Sequence, residues 1–251
     1  MSGISRRKLL SRGLAAAAGL SGLGVAARLA DRYGLIPPDG GGLFGPGDTL
    51  TYAAHRLLVG DAPAREFPRH LISARPFPNT PDSPNEEYTR LQAGGFVDWR
   101  LQVEGMVERP LSLSLADLRQ FPARSQITQL ACEEGWSYIA EWTGIALSDI
   151  LAAAGMRPGA RFVACHPIDP WWEAIDMTDA LHPQTIVATG MNGAALPATF
   201  GGPLRIRVPR QLGYKSVKYL LRLEVVDSVR SLGRGLGGSN PEIGYSWYAG
   251  I

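Results

Sequence analysis

Histidine and cysteine are scarce in this chain, with four and two respectively in 251 residues. No Cys-x-x-Cys-His run is present to attach a haem, and no cysteine-rich stretch suggests an iron–sulfur cluster. His55, His70, His166 and His182 are too scattered to complete an ordinary protein-only zinc site around either cysteine. Acid is absent from residues 1–30, which carry Arg6, Arg7, Lys8, Arg12 and Arg28. Without those five bases the formal charge of +2 becomes −3. The remainder is mildly acidic, and a nucleic-acid partner is not expected. A membrane span needs roughly 20 apolar residues, and the run from Gly13 to about Ala27 is too short and too rich in glycine to be a good one. Thirty glycines and nineteen prolines argue against an all-helical bundle.

What is present begins with Ser5-Arg6-Arg7-Lys8-Leu9-Leu10. It resembles a twin-arginine export motif, a route that carries folded and often cofactor-loaded proteins. Residues 1–30 are therefore expected to be the export segment, read by the twin-arginine machinery. The protein is expected in the periplasm, free or membrane-associated. A basic amphipathic tail on a cytosolic protein is the plainer alternative. In an exported chain, a Cys132–Cys165 disulfide is the bland reading of the two cysteines.

Residues 31–84 read as an irregular arm or linker, Pro/Gly-rich to 50, with Pro63, Pro68, Pro76, Pro78, Pro81 and Pro84 opposing long helices beyond. Residues 85–251 read as the folded domain. Trp99, Leu101 and Val103 alternate with polar residues and predict a strand ending near Gly105. Ser114 and Asp117 predict the start of a short helix. Residues 124–131 suit a strand. Leu147–Ala154 predicts a helix stopped by Gly155. Short strands are expected at Phe162–Cys165, Ile186–Thr189 and Pro203–Val208, a helical turn at 176–181, and a half-buried strand over 217–226. Strands dominate without βαβ alternation, so the expected class is α+β with a mixed sheet.

The chemistry centres on Cys132. A thiolate is a soft ligand that suits molybdenum, among other metals. The ordered series DWRLQVEGMVERPLSLSLADL, CEEGWS, EWTGIALSDIL, IDMTDALHPQTIVATGMNGAALP, GGPLRIRVPRQLGYKSVKYLLRLEVVD and GYSWYAGI resembles the molybdopterin domain of the sulfite oxidase family. The resemblance spans roughly residues 85–251. It implies the sulfite oxidase catalytic fold and a molybdenum–molybdopterin cofactor held by Cys132 as metal ligand and catalytic residue. It implies pterin contacts at Arg205, Gly213, Tyr214 and Lys215, with Phe200 facing the pterin. Arginine, lysine and open backbone N–H groups also suit the pterin's terminal phosphate chemically. The plainer reading of Arg205 and Lys215 is a solvated strand and turn.

The family's chemistry is two-electron oxygen-atom transfer, here expected at sulfur, as sulfite oxidation or S-oxide reduction on a small-molecule substrate. Trp171, Trp172 and Arg207 are candidate substrate-pocket residues. Arg207 would join Arg161 and Arg210 in a cationic pocket for sulfite. One of Glu133 and Glu134 reads as a structural hydrogen-bond partner, and Cys165 as a buried apolar residue. A separate haem protein or cytochrome is the expected redox partner, and a monomer or heterodimer the expected assembly. Family positions that hold polar residues are here Leu130, Pro167 and Phe200, and Asn85, Glu87 and Tyr88 stand loosely where a related branch places further contacts. These departures keep open a cofactor-free exported binding or scaffold protein.

Overall fold

Two five-stranded sheets share one core. The computed structural model describes residues 24–42, 45–79 and 83–251. The twin-arginine motif and most of the apolar run after it lie outside the described residues. In the first sheet, β1 (Arg100–Gly105) pairs antiparallel with β2 (Leu111–Ser114) and parallel with β10 (Leu220–Val226). β10 pairs antiparallel with β5 (Phe162–Pro167), and β5 with β6 (Glu173–Asp176). The second sheet runs β3 (Ala123–Ala131), β4 (Ser137–Ala146), β7 (Ile186–Met191) and β8 (Ala194–Ala195), with β9 (Arg205–Arg207) also on β7. Its pairings are all antiparallel. One parallel pair among antiparallel ones makes the first sheet mixed, as the α+β reading expected.

The helices are short: α1 (24–32), α2 (Pro46–Leu58), α3 (Glu86–Ala93), α4 (Leu115–Leu118), α5 (Leu147–Ala154), α6 (Met177–Ala180) and α7 (Ser239–Glu242). Ser114 and Asp117 form a reciprocal capping box at α4. α5 ends where Gly155 turns left-handed at φ 69°, a conformation open to glycine at little cost. Its Leu147, Ile150, Leu151 and Ala154 form one buried stripe against Leu101 and Val103 of β1 and Leu223 and Val225 of β10. Val187 of β7 and Ile206 of β9 join that cluster from the second sheet, so burial of apolar surface holds the sheets together.

Three sequence expectations change. The arm carries a 13-residue helix, α2, because Pro46 sits at the helix start, where no N–H bond is lost, and the next proline is Pro63. α2 is fixed to the body: Arg56 reaches Asp176 at 2.6 Å and Asp179 at 2.7 Å, and Tyr52 donates to Asp176 at 2.9 Å. Strand β4 was not anticipated, although it is the longest among the described residues. The strand expected over 217–226 begins only at Leu220, since Tyr219 has φ 53° and the pairing with β5 shifts register between Leu220 and Arg222. Such an irregularity resets which residues face inward.

Both cysteines are free. Cys165 lies on β5 in the main core, and Cys132 follows β3 at the second sheet's end, so the disulfide reading fails.

Candidate active site

Ala131 and Ser137 are the last paired residues of β3 and β4, and the connecting turn contains Cys132. Cys132 N donates to the Trp136 carbonyl at 2.9 Å, and Gly135 N to the Cys132 carbonyl at 3.1 Å. This fixes the backbone and turns the thiol into a cavity of about 470 Å³. The thiol donates to Glu133 Oε2 at 3.3 Å. Burial, with Glu133 adding, pushes it up to about 12. A metal must therefore displace a proton to gain the thiolate. Glu134 accepts from Trp136 Nε1 at 2.7 Å. Both acids thus serve as hydrogen-bond partners, where only one of them was expected to.

The paired strands deliver Arg205. Arg205 and Arg207 lie two apart on β9 and share a face, each guanidinium over the Trp142 ring at 5.2 and 5.6 Å. Only Arg205 lines the cavity. It donates to the carbonyls of Phe200 at 2.9 Å and Ser216 at 2.6 Å. Its Nε is buried without a partner, as is the Tyr219 hydroxyl on the same wall. Buried donors without acceptors are costly. Here they mark a place built for an acceptor-rich ligand.

Gly213, Tyr214 and Phe200 line the cavity. A side chain at Gly213 would start 3.1 Å from Leu130 and 3.3 Å from the Ala131 carbonyl, closing the cradle beside Cys132. Tyr214 is held from behind by its hydroxyl bond to the Ser246 carbonyl. Phe200 meets Tyr138 edge-on at 5.7 Å.

Lys215 requires correction. Its ammonium is fully buried away from the cavity, 2.7 Å from Glu173 Oε2 and 3.2 Å from the Ala174 carbonyl. The cation on the cavity wall is Lys218, which donates to Asn79 Oδ1 at 2.8 Å and the Thr199 carbonyl at 3.0 Å. Burial, with Arg205 adding, lowers its ammonium to about 7. Read as part of a regular strand, Lys218 belongs on the solvent face. The late start of β10 puts it on the cavity wall instead.

Arg207 is corrected as well. It is fully buried, bonded to Gln129 O and, more loosely, to Ser216 Oγ and Thr128 Oγ1. Arg210 lies beside Asp179 and Arg161 beside Asp31, so the three arginines do not assemble a sulfite pocket. The two tryptophans separate, as adjacent residues of extended chain do. Trp171 lines the cavity. Trp172 instead stacks on His166 at 5.7 Å beside a separate groove. Asn85 caps α3 and bonds the Ile168 carbonyl, while Tyr88 donates to Gly202 O. Both tie α3 to the body and lie off the cavity wall.

The arm supplies the wall that composition concealed. It bridges to β3 through Glu66 and Thr128 and bonds β4 through Ser73 and Ile139, then brings Phe77, Pro78 and Asn79 into the cavity. Phe77 packs on Trp136 at 5.2 Å, and Trp136 stacks on Tyr138 at 5.9 Å. Proline-rich extended chain has no periodicity, so no sequence signal announced this strap. Asp169 also lines the cavity, held by the Trp171 N–H at 2.8 Å.

A family model described as an oxidoreductase molybdopterin binding domain matches residues 90–232. The chain belongs to that family, the family of the sulfite oxidase catalytic domain. Its members are molybdopterin-dependent oxidoreductases, and the orphaned donors and open cradle beside a cavity-facing thiol fit that cofactor. The chain is 35% identical over 184 residues to a protein of Azospira oryzae provisionally named protein-methionine-sulfoxide reductase subunit YedZ1, covering 73% of this chain and 66% of that one. It is 33% identical over 147 and 144 residues to proteins of Xanthomonas campestris and Campylobacter jejuni named protein-methionine-sulfoxide reductase catalytic subunit MsrP. Those matches cover 52% and 51% of this chain and 46% and 48% of the relatives. The chain thus spans between about half and two thirds of these relatives. A solved structure, the sulfane dehydrogenase SoxCD of Paracoccus pantotrophus, superposes with a TM-score of 0.50 at 27% identity, over 53% of this chain and 39% of that one.

Proposed function

We propose that this protein reduces S-oxides, with Cys132 as the molybdenum ligand and Arg205, Lys218, Gly213 and the orphaned Tyr219 hydroxyl holding the pterin. The bound cofactor supplies a two-electron redox centre capable of oxygen-atom exchange with sulfur. The reaction is R₂S=O + 2e⁻ + 2H⁺ → R₂S + H₂O, the electrons coming from a separate haem protein or cytochrome.

The charge of the cavity carries the choice of direction. Among the described residues lining it, the only side-chain cations are Arg205 and Lys218, against Glu133, Glu134 and Asp169. With both cations engaged by the pterin phosphate, nothing positive remains for sulfite, and three carboxyl groups oppose an anion. A sulfoxide is neutral and polar only at S=O. The aromatic part of the wall suits such a substrate: Phe77, Trp136, Trp171 and Tyr245 line the cavity, and Phe77, Trp171 and Tyr245 reach the protein surface. The names of the sulfoxide reductase relatives agree with this direction, and that of the solved structure, a dehydrogenase, does not. The Arg6-Arg7 segment supports export by the twin-arginine route to the periplasm.

The test uses holoprotein with a reduced viologen dye as donor. Oxidation of the dye by methionine sulfoxide or a sulfoxide-bearing peptide, with no sulfite-dependent reduction of cytochrome c or ferricyanide, is the expected result. Sulfite oxidation outpacing sulfoxide reduction would reject the reading. Protein that carries neither metal nor pterin after export from cells able to make the cofactor would favour the scaffold alternative.

A further inference from the structure

Helix α2 is inverted for a helix facing water. Its inner side holds Tyr52, His55 and Arg56. Arg56 is only 5% exposed and pairs with Asp176 and Asp179, and His55 packs edge-on to Tyr248 at 5.6 Å. Its outer side holds Leu50, Ala54, Leu57 and Leu58, the three leucines 70%, 69% and 82% exposed. The spacing i, i+4, i+7, i+8 makes them one stripe. None of the exposed residues of α2 is charged: they are Pro46, Gly47, Leu50, Thr51, Ala54, Leu57 and Leu58. Val59 is exposed beyond the helix end, and an apolar hollow of about 380 Å³ lined by Ala54, Leu58, Val59, Ala62 and Tyr248 adjoins the stripe. A continuous exposed apolar surface of this kind marks a contact site.

We propose that this face of α2 seats on the surface of an anionic lipid bilayer. The chain around it says what covers it. Before α1 the sequence holds Arg6, Arg7, Lys8 and Arg12, no acid, and an apolar run from Leu14 to Leu23. That run leads directly into α1, where Val25 and Leu29 are exposed and Arg28 and Arg32 stand exposed beside them. Seven of the fifteen large apolar side chains that stand exposed among the described residues fall within residues 24–59, so exposure is concentrated next to the basic apolar leader. Bases complement anionic headgroups, and leucines partition at the headgroup–acyl boundary. A bilayer accepts such a row of exposed leucines without needing a complementary shape of its own. The seat is independent of the reaction assigned to the cavity.

The test is co-sedimentation of the full chain with vesicles of phosphatidylcholine and phosphatidylglycerol. The triple variant Leu50→Glu, Leu57→Glu, Leu58→Glu is expected to lower the bound fraction about tenfold while its thermal midpoint stays that of the parent. Equal sedimentation of parent and variant overturns the proposal, whether both bind through the leader or neither binds. So does a parent that ignores vesicles but forms a dimer, or a complex with a protein, that the variant loses. A single Leu58→Cys variant carrying a nitroxide gives a second reading: its label should gain oxygen accessibility on vesicles, above the signal of identically treated parent. An unchanged label overturns the proposal even if the triple variant misfolds.

Discussion

Two lysines and two arginines from one 27-residue motif meet opposite fates. Lys215 is neutralised by Glu173 in the interior, and Arg207 is closed in by acceptors of its own sheet and by Ser216. Arg205 and Lys218 stand on the cavity wall, bonded only to neutral acceptors, and neither forms an ion pair among the described residues. Burying a cation beside its counter-charge, as at Lys215, builds structure, whereas Arg205, Lys218 and Arg207 all lack one among the described residues. What separates Arg207 is position: it is closed off from the cavity, while Arg205 and Lys218 line it, where an anion can complete them. On this reading, Arg205 and Lys218 belong to the cofactor and Arg207 and Lys215 to the fold.

The cysteines sharpen the same contrast. Both thiols are pushed up to about 12 by burial, yet only Cys132 faces the cavity. Cys132→Ala should abolish molybdenum content and dye-driven reduction with the fold intact, and Cys165→Ala should leave both in place. Metal analysis of the two purified proteins decides this. Next in size, Lys215→Met strands the buried Glu173 carboxylate and should cost about 3–5 kcal/mol of stability by urea unfolding, with pterin content per folded molecule unchanged. If Lys215→Met instead stayed stable and lost pterin, the division between the two lysines would collapse. Arg205→Ala removes a charged donor from the pterin and should weaken retention about 10–100-fold, read as pterin released during dialysis.

Much of this was legible beforehand, and the failures share a cause. The α4 capping box, the Gly155 stop of α5 and the alternation in β1 are local features, and their expected positions match the structure. Cys132 was singled out by the family resemblance of its CEEGWS stretch, and the structure places its thiol on the cavity wall. Lys218 was missed because the alternation of Val217, Tyr219 and Leu221 looked regular, whereas Tyr219 takes a positive φ and the ladder shifts at Leu220. Phe77 and Asn79 were missed because extended proline-rich chain reveals its partners only in three dimensions. Trp171 and Trp172 are identical in type, and which of them faces the cavity is decided by the path of the extended chain leading into β6, which local sequence does not encode.

Lys218 also offers a pH signature that Lys215 should not share. Burial lowers the Lys218 ammonium from its ordinary 10.5 to about 7. Its folded value lies below its unfolded one, so between pH 7 and 10.5 the unfolded chain holds more protons. The cofactor-free protein therefore gains stability as pH rises through that window, and loses the gain as pH falls through 7. Bound phosphate prefers the protonated ammonium, so pterin retention should weaken as pH rises above about 7. Lys218→Met should flatten that profile, and Lys215→Met should not. Pterin retained after dialysis at a series of pH values provides the measurement.

The smallest expected effect tests whether the arm belongs to the site at all. Phe77 comes from outside the family-matched segment and touches the cavity through its edge contact with Trp136. An aromatic contact of this kind contributes about 0.5–1.5 kcal/mol, so Phe77→Ala should raise KM for a sulfoxide-bearing peptide about two- to tenfold. A peptide extends past the sulfur to the cavity mouth, where Phe77 and Trp171 stand. Dimethyl sulfoxide does not, and its KM should barely move, with kcat unchanged for both substrates. Equal losses on the two substrates would mean that Phe77 supports the turn at Cys132 rather than the substrate. A lower kcat with unaltered KM would place the strap's influence on the cofactor, through Asn79 and Lys218.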